Sequence, residues 1–301
     1  MKVRPAAPRD AAAISSLCNA ISRAFNGEPD ADDVEVLRWL ALQGVAMFVA
    51  EEGGRIVGYC DVQSAADATR FPADLRVAPG DAAAAEPLLE AAEDWAKSRA
   101  AAGALVRVFA PEDHSELQEA LARRGLRPVR HSFQMAIDLD GDLPPPEWPA
   151  GVAARWYQSD RDELPAYECV QEAFEDHWDS HRRSFEEWRR FELENPRFDP
   201  ELWWLAWDAC ELAGVCLNGW HYSGDPRYGH VGLLAVRRPW RRRGLGLALL
   251  RHSFADFAAR GANRIGLEVD GENLTGAVRL YERAGMHVVR RTDIYEKGLT
   301  T

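Results

Sequence analysis

The hydrophobic and polar positions of the chain predict a hairpin followed by a strand and a helix. The segment MFVAEEGGRIVGYCDV has two strand-like runs on either side of a turn at residues 51–54. A further run of strand character ends at Val77. In AEPLLEAAEDWAKSRAAAG, residues 85–103, apolar positions recur at steps of three and four, which is typical of an amphipathic helix.

The same order of elements occurs again in the second half of the chain. LWWLAWDACELAGVCLN predicts a hairpin, a strand ends at Val236, and GLALLRHSFADFAARGAN predicts a helix. The offset between equivalent positions grows from 156 to 160 residues, which indicates small insertions in one copy of a duplicated unit. The equivalent pairs are Gly58 and Gly214, Cys60 and Cys216, Val77 and Val236, and Gly125 and Gly285.

Each copy therefore predicts a helix-rich start, a hairpin, a strand, a helix, a strand, a helix and a last strand. This order is typical of an α/β or α+β fold with a mixed sheet. Between the copies, LDGDLPPPEWPAG interrupts every regular pattern and carries four prolines, which indicates a linker. We expect a first domain at residues 1–140, a linker at 141–151 and a second domain at 152–301.

Composition excludes several classes of protein. The net charge of the 301-residue chain is −12, which disfavours a protein that mainly binds nucleic acid or anionic membranes. The sequence contains no apolar stretch of the roughly 18 residues that a membrane span needs. Its start lacks the apolar core of a signal peptide, and its 5 cysteines are scattered, without zinc-ligand spacing. We expect a reduced, cytoplasmic protein that is a monomer or a homodimer.

One segment predicts an anion site. GHVGLLAV has the character of a buried strand, RRPWRRRGLG follows it, and the next helix runs to Gly261. The order strand, glycine-rich turn and helix places the N–H groups of residues 242–247 at a helix N-terminus, which favours phosphate. The Walker sequence Gly-Lys-Ser/Thr is absent, and a dinucleotide fingerprint would need glycine where Leu249 stands. The remaining pattern is arginine-x-x-glycine-x-glycine, from Arg241 to Gly246.

Two motifs together resemble the GCN5-related N-acetyltransferase (GNAT) superfamily. LLAVRRPWRRRGLGLALL resembles its acyl-CoA-binding motif, and IGLEVDGENLTGAVRLYERAGM resembles its downstream strand, asparagine and helix. The duplicated layout is similar to tandem members such as the mycothiol synthase-like proteins. The resemblance implies two tandem GNAT-like domains, each with a mixed, mostly antiparallel sheet flanked by helices, and acetyl-CoA as co-substrate without a metal. The cofactor-binding residues that it implies are Leu234, Ala235, Val236, Arg241, Arg242, Arg243, Gly244, Leu245, Gly246, Leu247 and Asn273.

The resemblance also implies catalytic roles for direct transfer of an acetyl group to an amine. Tyr281 matches the tyrosine that protonates the departing thiolate, a task that a phenol can perform. His230 stands where some members have a glutamate base, and it competes for that role with His221, Glu268 and an ordered water. Asn273 matches an asparagine that bonds the cofactor arm, and equally suits a turn before a helix at Thr275.

The acceptor is expected to be a small-molecule amine or a peptide. FEDHWDSHRRSFEEW lies where helices of the family cover the acceptor, and its candidate acceptor residues are Glu175, Asp176, His177 and Trp178. A carboxylate there would suit a cationic amine. His177 and His181 have four-residue spacing that also suits a metal, but no third ligand is evident, and a solvated helix–loop is the alternative.

The first copy lacks these motifs. After Val77 it has APGDAAAAEPLLEAAE, with Asp81 and Glu86 where a pyrophosphate would be repelled, and Leu121 stands where Tyr281 stands in the second copy. We therefore expect only the second copy to use acetyl-CoA. Alternatives to a general amine acetyltransferase are a mycothiol synthase-type enzyme that acetylates a cysteine-derived amine, a non-catalytic acyl-CoA-binding module, and a nucleic-acid binder that uses residues 237–243.

Overall fold

The computed structural model describes residues 1–26, 29–65, 67–178, 182–223, 225–273 and 275–299. The predicted hairpins, strands and helices are confirmed in both copies. In the first copy the elements are β1 (Lys2–Pro5), α1 (Ala11–Asn26), α2 (Asp33–Ala41), β2 (Val45–Glu52), β3 (Arg55–Gln63), β4 (Arg70–Val77), α3 (Ala85–Lys97), β5 (Leu105–Pro111), α4 (Ser115–Arg123) and β6 (Arg127–Asp138).

The second copy repeats this order element by element. It consists of β7 (Val152–Trp156), α5 (Glu163–Phe174), α6 (Phe185–Glu192), β8 (Trp203–Asp208), β9 (Glu211–Trp220), β10 (Tyr228–Val236), α7 (Leu245–Ala259), β11 (Arg264–Asp270), α8 (Ala277–Arg283) and β12 (His287–Gly298). The short strands β1 and β7, which open the two copies, were not predicted. Their 4 and 5 residues are too few for an alternating pattern to stand out.

The chain folds into two compact units that do not follow chain order. Among the described residues, the first unit comprises 1–133, 222–223 and 290–299, and the second comprises 134–221, 225–273 and 275–289. The first has the strand order β1-β2-β3-β4-β5, to which residues 290–298 of β12 are added beside β5, and the second has β11-β10-β9-β8-β7, to which residues 134–138 of β6 are added beside β11. In each, one neighbouring pair is parallel, β4 with β5 and β10 with β11, while the other registered pairs are antiparallel. The predicted mixed, mostly antiparallel architecture is thereby confirmed.

An arginine–aspartate pair at the start of each copy ties the first strand to the first helix. Arg4 donates to both carboxylate oxygens of Asp10 at 2.8 and 3.0 Å, and Arg155 donates to those of Asp162 at 2.5 and 2.8 Å. Each carboxylate also accepts a backbone N–H, from Ala7 and from residue 158, at 2.8 Å. The same local design in both copies supports the duplication.

The first unit contains a charged group between its sheet and α1. Asp61 and Asp74 are direct cross-strand partners on β3 and β4. Asp61 accepts a hydrogen bond from the Tyr59 hydroxyl at 2.5 Å, and Arg76 donates to Asp74 at 2.8 Å and to Asp30 at 2.9 Å. Burial, and after it the negative charge of Asp74, raise the pKa of Asp61 to about 7.

On the equivalent side of its sheet, which faces α5, the second unit has an apolar, aromatic core. Cys169 and Val170 of α5 pack with Val215 and Leu217 of β9 and with Ala235 of β10. Among the helices that the structure describes, none has both the length and the apolar character needed to cross a bilayer.

Candidate active site

The two parallel strands of the second unit separate at the middle of the sheet. β10 pairs with β11 only where Tyr228–His230 lie beside Arg264–Gly266, although the described strands continue to Val236 and Asp270. A bulge between Val231 and Leu233 shifts the register of β10 against β9 at this point. The C-terminal part of β10 therefore has backbone groups that its parallel neighbour does not use, which suits pairing with an extended ligand.

The first turn of α7 lies beside this part of β10. A Cβ built at Gly246 would lie 3.1 Å from Leu280 of α8, 3.7 Å from Val236 and 3.9 Å from Leu234. Glycine at 246 thus allows the helix start, the strand end and α8 to meet. Leu234 and Val236 point to this side, as a strand with alternating side chains requires.

The loop before α7 presents open backbone donors. Gly244 caps the helix with a φ of 87°, and Arg242 also has a positive φ, of 62°. The first bond of the helix runs from the N–H of Ala248 to the oxygen of Gly244, so the preceding N–H groups have no helical acceptor. A Cβ at Gly244 would meet no atom within 4 Å, which leaves the surface above it accessible. The predicted placement of residues 242–247 is confirmed, while a bound pyrophosphate stays a prediction.

The arginines before the loop hold it to the end of α5. Arg237 donates to Glu172 at 2.6 Å, and Arg238 donates to Asp176 at 2.8 Å and lies 3.3 Å from Glu175. The hydrogen bond from Arg238, and after it one from Arg241, lower the pKa of Asp176. Glu175 and Asp176, candidate ligands for a cationic amine, are thus paired with arginines of the same unit.

Arg241 connects the loop to the end of β10 and to α5 through hydrogen bonds to backbone carbonyls. Its guanidinium donates to the carbonyl of Val236 at 3.0 Å and to that of Ala173 at 2.9 Å, and it lies 3.4 Å from Asp176. Arg242 and Arg243 are exposed. Their side chains, together with the open N–H groups, remain available for phosphate oxygens.

Tyr281 lies in α8 and is buried, with 8% of its surface exposed. Burial, and to a lesser degree Cys216, raise its pKa, so the phenol is protonated at neutral pH. The helix begins at Ala277 rather than at Thr275, because Gly276 takes a left-handed conformation with φ of 78°. Asn273 fixes the turn before it by accepting the N–H of Thr275 at 2.7 Å. The turn role of Asn273 is thus confirmed, and its cofactor role stays a prediction.

His230 lies on the opposite face of β10 from α7. Gly229 faces Phe257 of α7, so the next side chain points to the α5 side, and its Cδ2 lies 3.9 Å from a Cβ built at Gly232. The ring of His221 is 6.0 Å away. Burial and the charge of His221 lower the pKa of His230 to about 4, which keeps the imidazole neutral at pH 7. Glu268, another candidate base, is exposed on β11.

A cavity of about 220 Å³ lies on this α5 side, between α5, α6 and β10. Its apolar wall consists of Val170, Phe174, Trp188 and Leu233, and Leu233 packs with the α5 core. The candidate acceptor residues Glu175 and His177 also line it. Trp178 contacts the His177 ring at 6.4 Å between centroids, and His181 lies outside the described residues. Within the described ranges, no group of three or more metal-ligating side chains is close enough to hold an ion.

The first unit has the same strand separation, but its own side chains occupy it. β4 and β5 pair from Arg70 to Ala73 only. Beyond that point, His114 is buried and its Nε2 lies 3.0 Å from the oxygen of Val77, the residue equivalent to Val236. The N–H of Gly80, in the loop that matches the glycine-rich one, donates to the Glu116 carboxylate at 3.0 Å. Sequence reasoning identified the missing motif but not these replacements.

Comparison with known proteins identifies the family. A family model described as Acetyltransferase (GNAT) family matches residues 155–286. A mycothiol acetyltransferase from Geodermatophilus obscurus is 30% identical over 291 residues, which cover 92% of this chain and 91% of that protein. The chain belongs to the GNAT acetyltransferase family.

Solved structures of GNAT proteins match the whole chain. A GCN5-related N-acetyltransferase from Sphaerobacter thermophilus is 34% identical, with a TM-score of 0.82, and the match covers 100% of this chain and 96% of that one. A tandem GNAT protein from the clavulanic acid biosynthesis pathway has a TM-score of 0.77 at 18% identity, with 100% and 99% covered, which shows the shared tandem fold. The chain is therefore a GNAT-type acyltransferase, and GNAT acetyltransferases transfer an acetyl group from acetyl-CoA to amine acceptors.

Proposed function

We propose that the second unit alone carries out the acetyl transfer. The observation that supports this most is the difference between the two strand separations. In the second unit, open N–H groups and two glycines adjoin the end of β10. In the first, His114 bonds the equivalent strand end at 3.0 Å and Glu116 takes an N–H of the equivalent loop. A carboxylate at that N–H would repel a pyrophosphate.

The residues of the second unit suit each part of the reaction. The N–H groups of residues 242–247, with Arg242 and Arg243, bind the pyrophosphate of acetyl-CoA, and the backbone of residues 234–236 binds the pantetheine arm and polarises the thioester carbonyl. The amine nitrogen attacks the carbonyl carbon and loses a proton to His230, directly or through water. As the carbon–sulfur bond breaks, Tyr281 gives its proton to the thiolate.

The proposed class of acceptor is based on the names of the relatives. Relatives at about 30% identity are named mycothiol acetyltransferases, which makes a mycothiol-type acceptor a second candidate beside a general small-molecule amine.

A matched pair of glycine substitutions tests the proposal. Gly244 and Gly80 have φ values of 87° and 88°, and a Cβ at either meets no atom within 4 Å. Aspartate at each site should therefore cost similar backbone strain. We expect Gly244→Asp to raise the KM for acetyl-CoA at least tenfold and to remove the rise in Tm that the ligand causes, because only a ligand that binds the folded state raises Tm. Gly80→Asp should change neither, and the reverse result would assign the reaction to the first unit.

A further inference from the structure

We propose that the cavity between α5, α6 and β10 selects amine acceptors that carry an anionic oxygen group, either a carboxylate or a phosphate. This inference rests on the proposed function of the second unit and specifies its acceptor. Three features of the cavity support it: its charged side chains, a buried hydrogen-bond donor, and its position relative to the proposed base.

Two guanidinium groups line the cavity without a carboxylate partner. Among the described residues, neither Arg182 nor Arg183 forms a salt bridge. Arg183 is nevertheless held in place: its backbone N–H donates to Gln171 at 3.2 Å, its carbonyl accepts the Tyr167 hydroxyl at 2.7 Å, and its guanidinium lies 4.9 Å from the centre of the Phe191 ring. A guanidinium with a fixed backbone and unused donors is suited to bind a carboxylate or phosphate through two parallel hydrogen bonds.

The carboxylates of the cavity do not neutralise this charge. Of the two carboxylates that line the cavity, Glu175 lies 3.3 Å from Arg238, which leaves one carboxylate, Glu192, against the two arginines. By contrast, Arg237, Arg238 and Arg241 of the neighbouring loop all have carboxylate partners. The uncompensated charge of the cavity is therefore positive, in a chain whose net charge is −12.

A buried donor adds to this preference. Trp188, which lines the cavity, is 1% exposed, and its indole nitrogen has no hydrogen-bond acceptor in the described structure. An unpaired N–H in the interior is unfavourable, so a ligand oxygen that reaches it would gain affinity. Phe174 and Leu233 provide apolar surface for the carbon skeleton of the acceptor.

The position of the cavity suits an acceptor. Leu233 forms part of its wall and lies on the same side of β10 as His230, the proposed base. An anionic group held near Arg182 and Arg183 would thus leave the amine of the same molecule on the side of the sheet where the proton is removed.

Matched acceptors and variants test the inference. Steady-state acetylation is measured with an amino acid and its amide, an aminoalkyl phosphate and the corresponding amino alcohol, and a neutral cysteine-derived amide, using wild type, Arg182→Gln and Arg183→Gln. Arg190→Gln is the control, because Arg190 is an exposed arginine of α6 outside the cavity wall. We expect at least a tenfold preference in kcat/KM for the charged member of one pair. The two cavity variants should remove that preference without altering the KM for acetyl-CoA, and the control should retain it.

The outcomes separate this inference from the proposed function. If charged and neutral acceptors are acetylated equally well, or the neutral cysteine-derived amide is preferred, the inference is wrong and the acetyl-transfer proposal stands. If no acceptor is acetylated while calorimetry shows binding of an anionic amine that depends on Arg182 and Arg183, the proposed function is wrong, and only the preference of the cavity for an anionic amine stands. The carboxylate and phosphate pairs identify which anion is bound.

Discussion

Tyr281 is a residue whose proposed role can be separated from its structural role. Tyr281→Phe keeps the buried ring and removes only the hydroxyl, which is the proposed proton donor. We expect kcat to fall by about 10² or more, the usual contribution of a positioned acid. The rise in Tm caused by acetyl-CoA should not change, because the helix and the loop remain.

Tyr295→Phe is the control for this substitution, since Tyr295 is also buried but belongs to the first unit. Retention of more than half of the wild-type kcat in Tyr281→Phe would exclude the phenol as the proton donor.

At the scale of single residues, the sequence predicts backbone geometry better than side-chain contacts. Gly244 and Gly246 were identified because a glycine-rich turn before a helix is encoded within a few residues, and Tyr281 was identified from the resemblance of its motif to the GNAT family. The arginine contacts were not, because their partners at and just beyond the end of α5 lie 62 to 66 residues away along the chain. The lowered pKa of His230 likewise depends on burial and on His221, neither of which a local pattern reveals.

Among the elements, the arginine–aspartate pairs that tie the first strand of each copy to its first helix have a clear energetic consequence. The Asp162 side chain is fully buried, while 29% of Arg155 is exposed. Removal of one partner of a buried pair costs about 3–5 kcal/mol, and the exposure of Arg155 places Asp162→Ala near the lower end, at about 3 kcal/mol of unfolding free energy.

Urea unfolding at pH 7 measures this loss. Glu119→Ala is the control, because Glu119 and Arg123 form an exposed pair at 3.8 Å on one helix, whose loss should cost no more than about 0.5 kcal/mol. Equal losses for the two variants would show that the buried pair does not stabilise the fold.

The elements themselves were largely predictable, and the exceptions have physical causes. The hairpins and α7 follow from runs of apolar residues: β9 is buried on both faces from Leu212 to Asn218, and α7 buries residues that recur at steps of three and four. β1 and β7 are short strands at the ends of their sheets, whose pairing is set by distant partners. The sequence predicts that α8 begins at Thr275, two residues before its true start at Ala277. The hydrogen bonds of Asn273 and the left-handed conformation of Gly276 keep residues 275 and 276 out of the helix, and the local pattern does not reveal them.

The stability of the whole molecule should depend on pH through Asp61. Its folded pKa of about 7 lies above the value of about 3.9 expected in an unfolded chain. As pH rises from about 4 to 7, the unfolded state loses this proton first, so the free energy of unfolding falls, and above about pH 7 this contribution no longer changes. The group is surrounded by Tyr59, Asp74 and Arg76, with Asp30 and Arg290 nearby.

Comparison of wild type with Asp61→Asn isolates this contribution from other carboxylates. We expect the unfolding free energy of the variant to increase relative to that of wild type as pH rises from 5 to 8. A difference that stays constant over this range would show that Asp61 titrates normally.

The first unit includes a strand from the last residues of the chain, and this has a consequence for synthesis on the ribosome. Its sheet is completed by β12, which pairs with β5 from Thr292 to Gly298. During translation, β5 leaves the ribosome long before that partner exists, so the nascent first unit retains an open sheet edge while almost 200 further residues are made. Ribosome-bound chains stalled before β12 should therefore be cleaved by protease near β5. Release of the finished chain, rather than emergence of the first copy, should be the moment at which the first unit becomes protected.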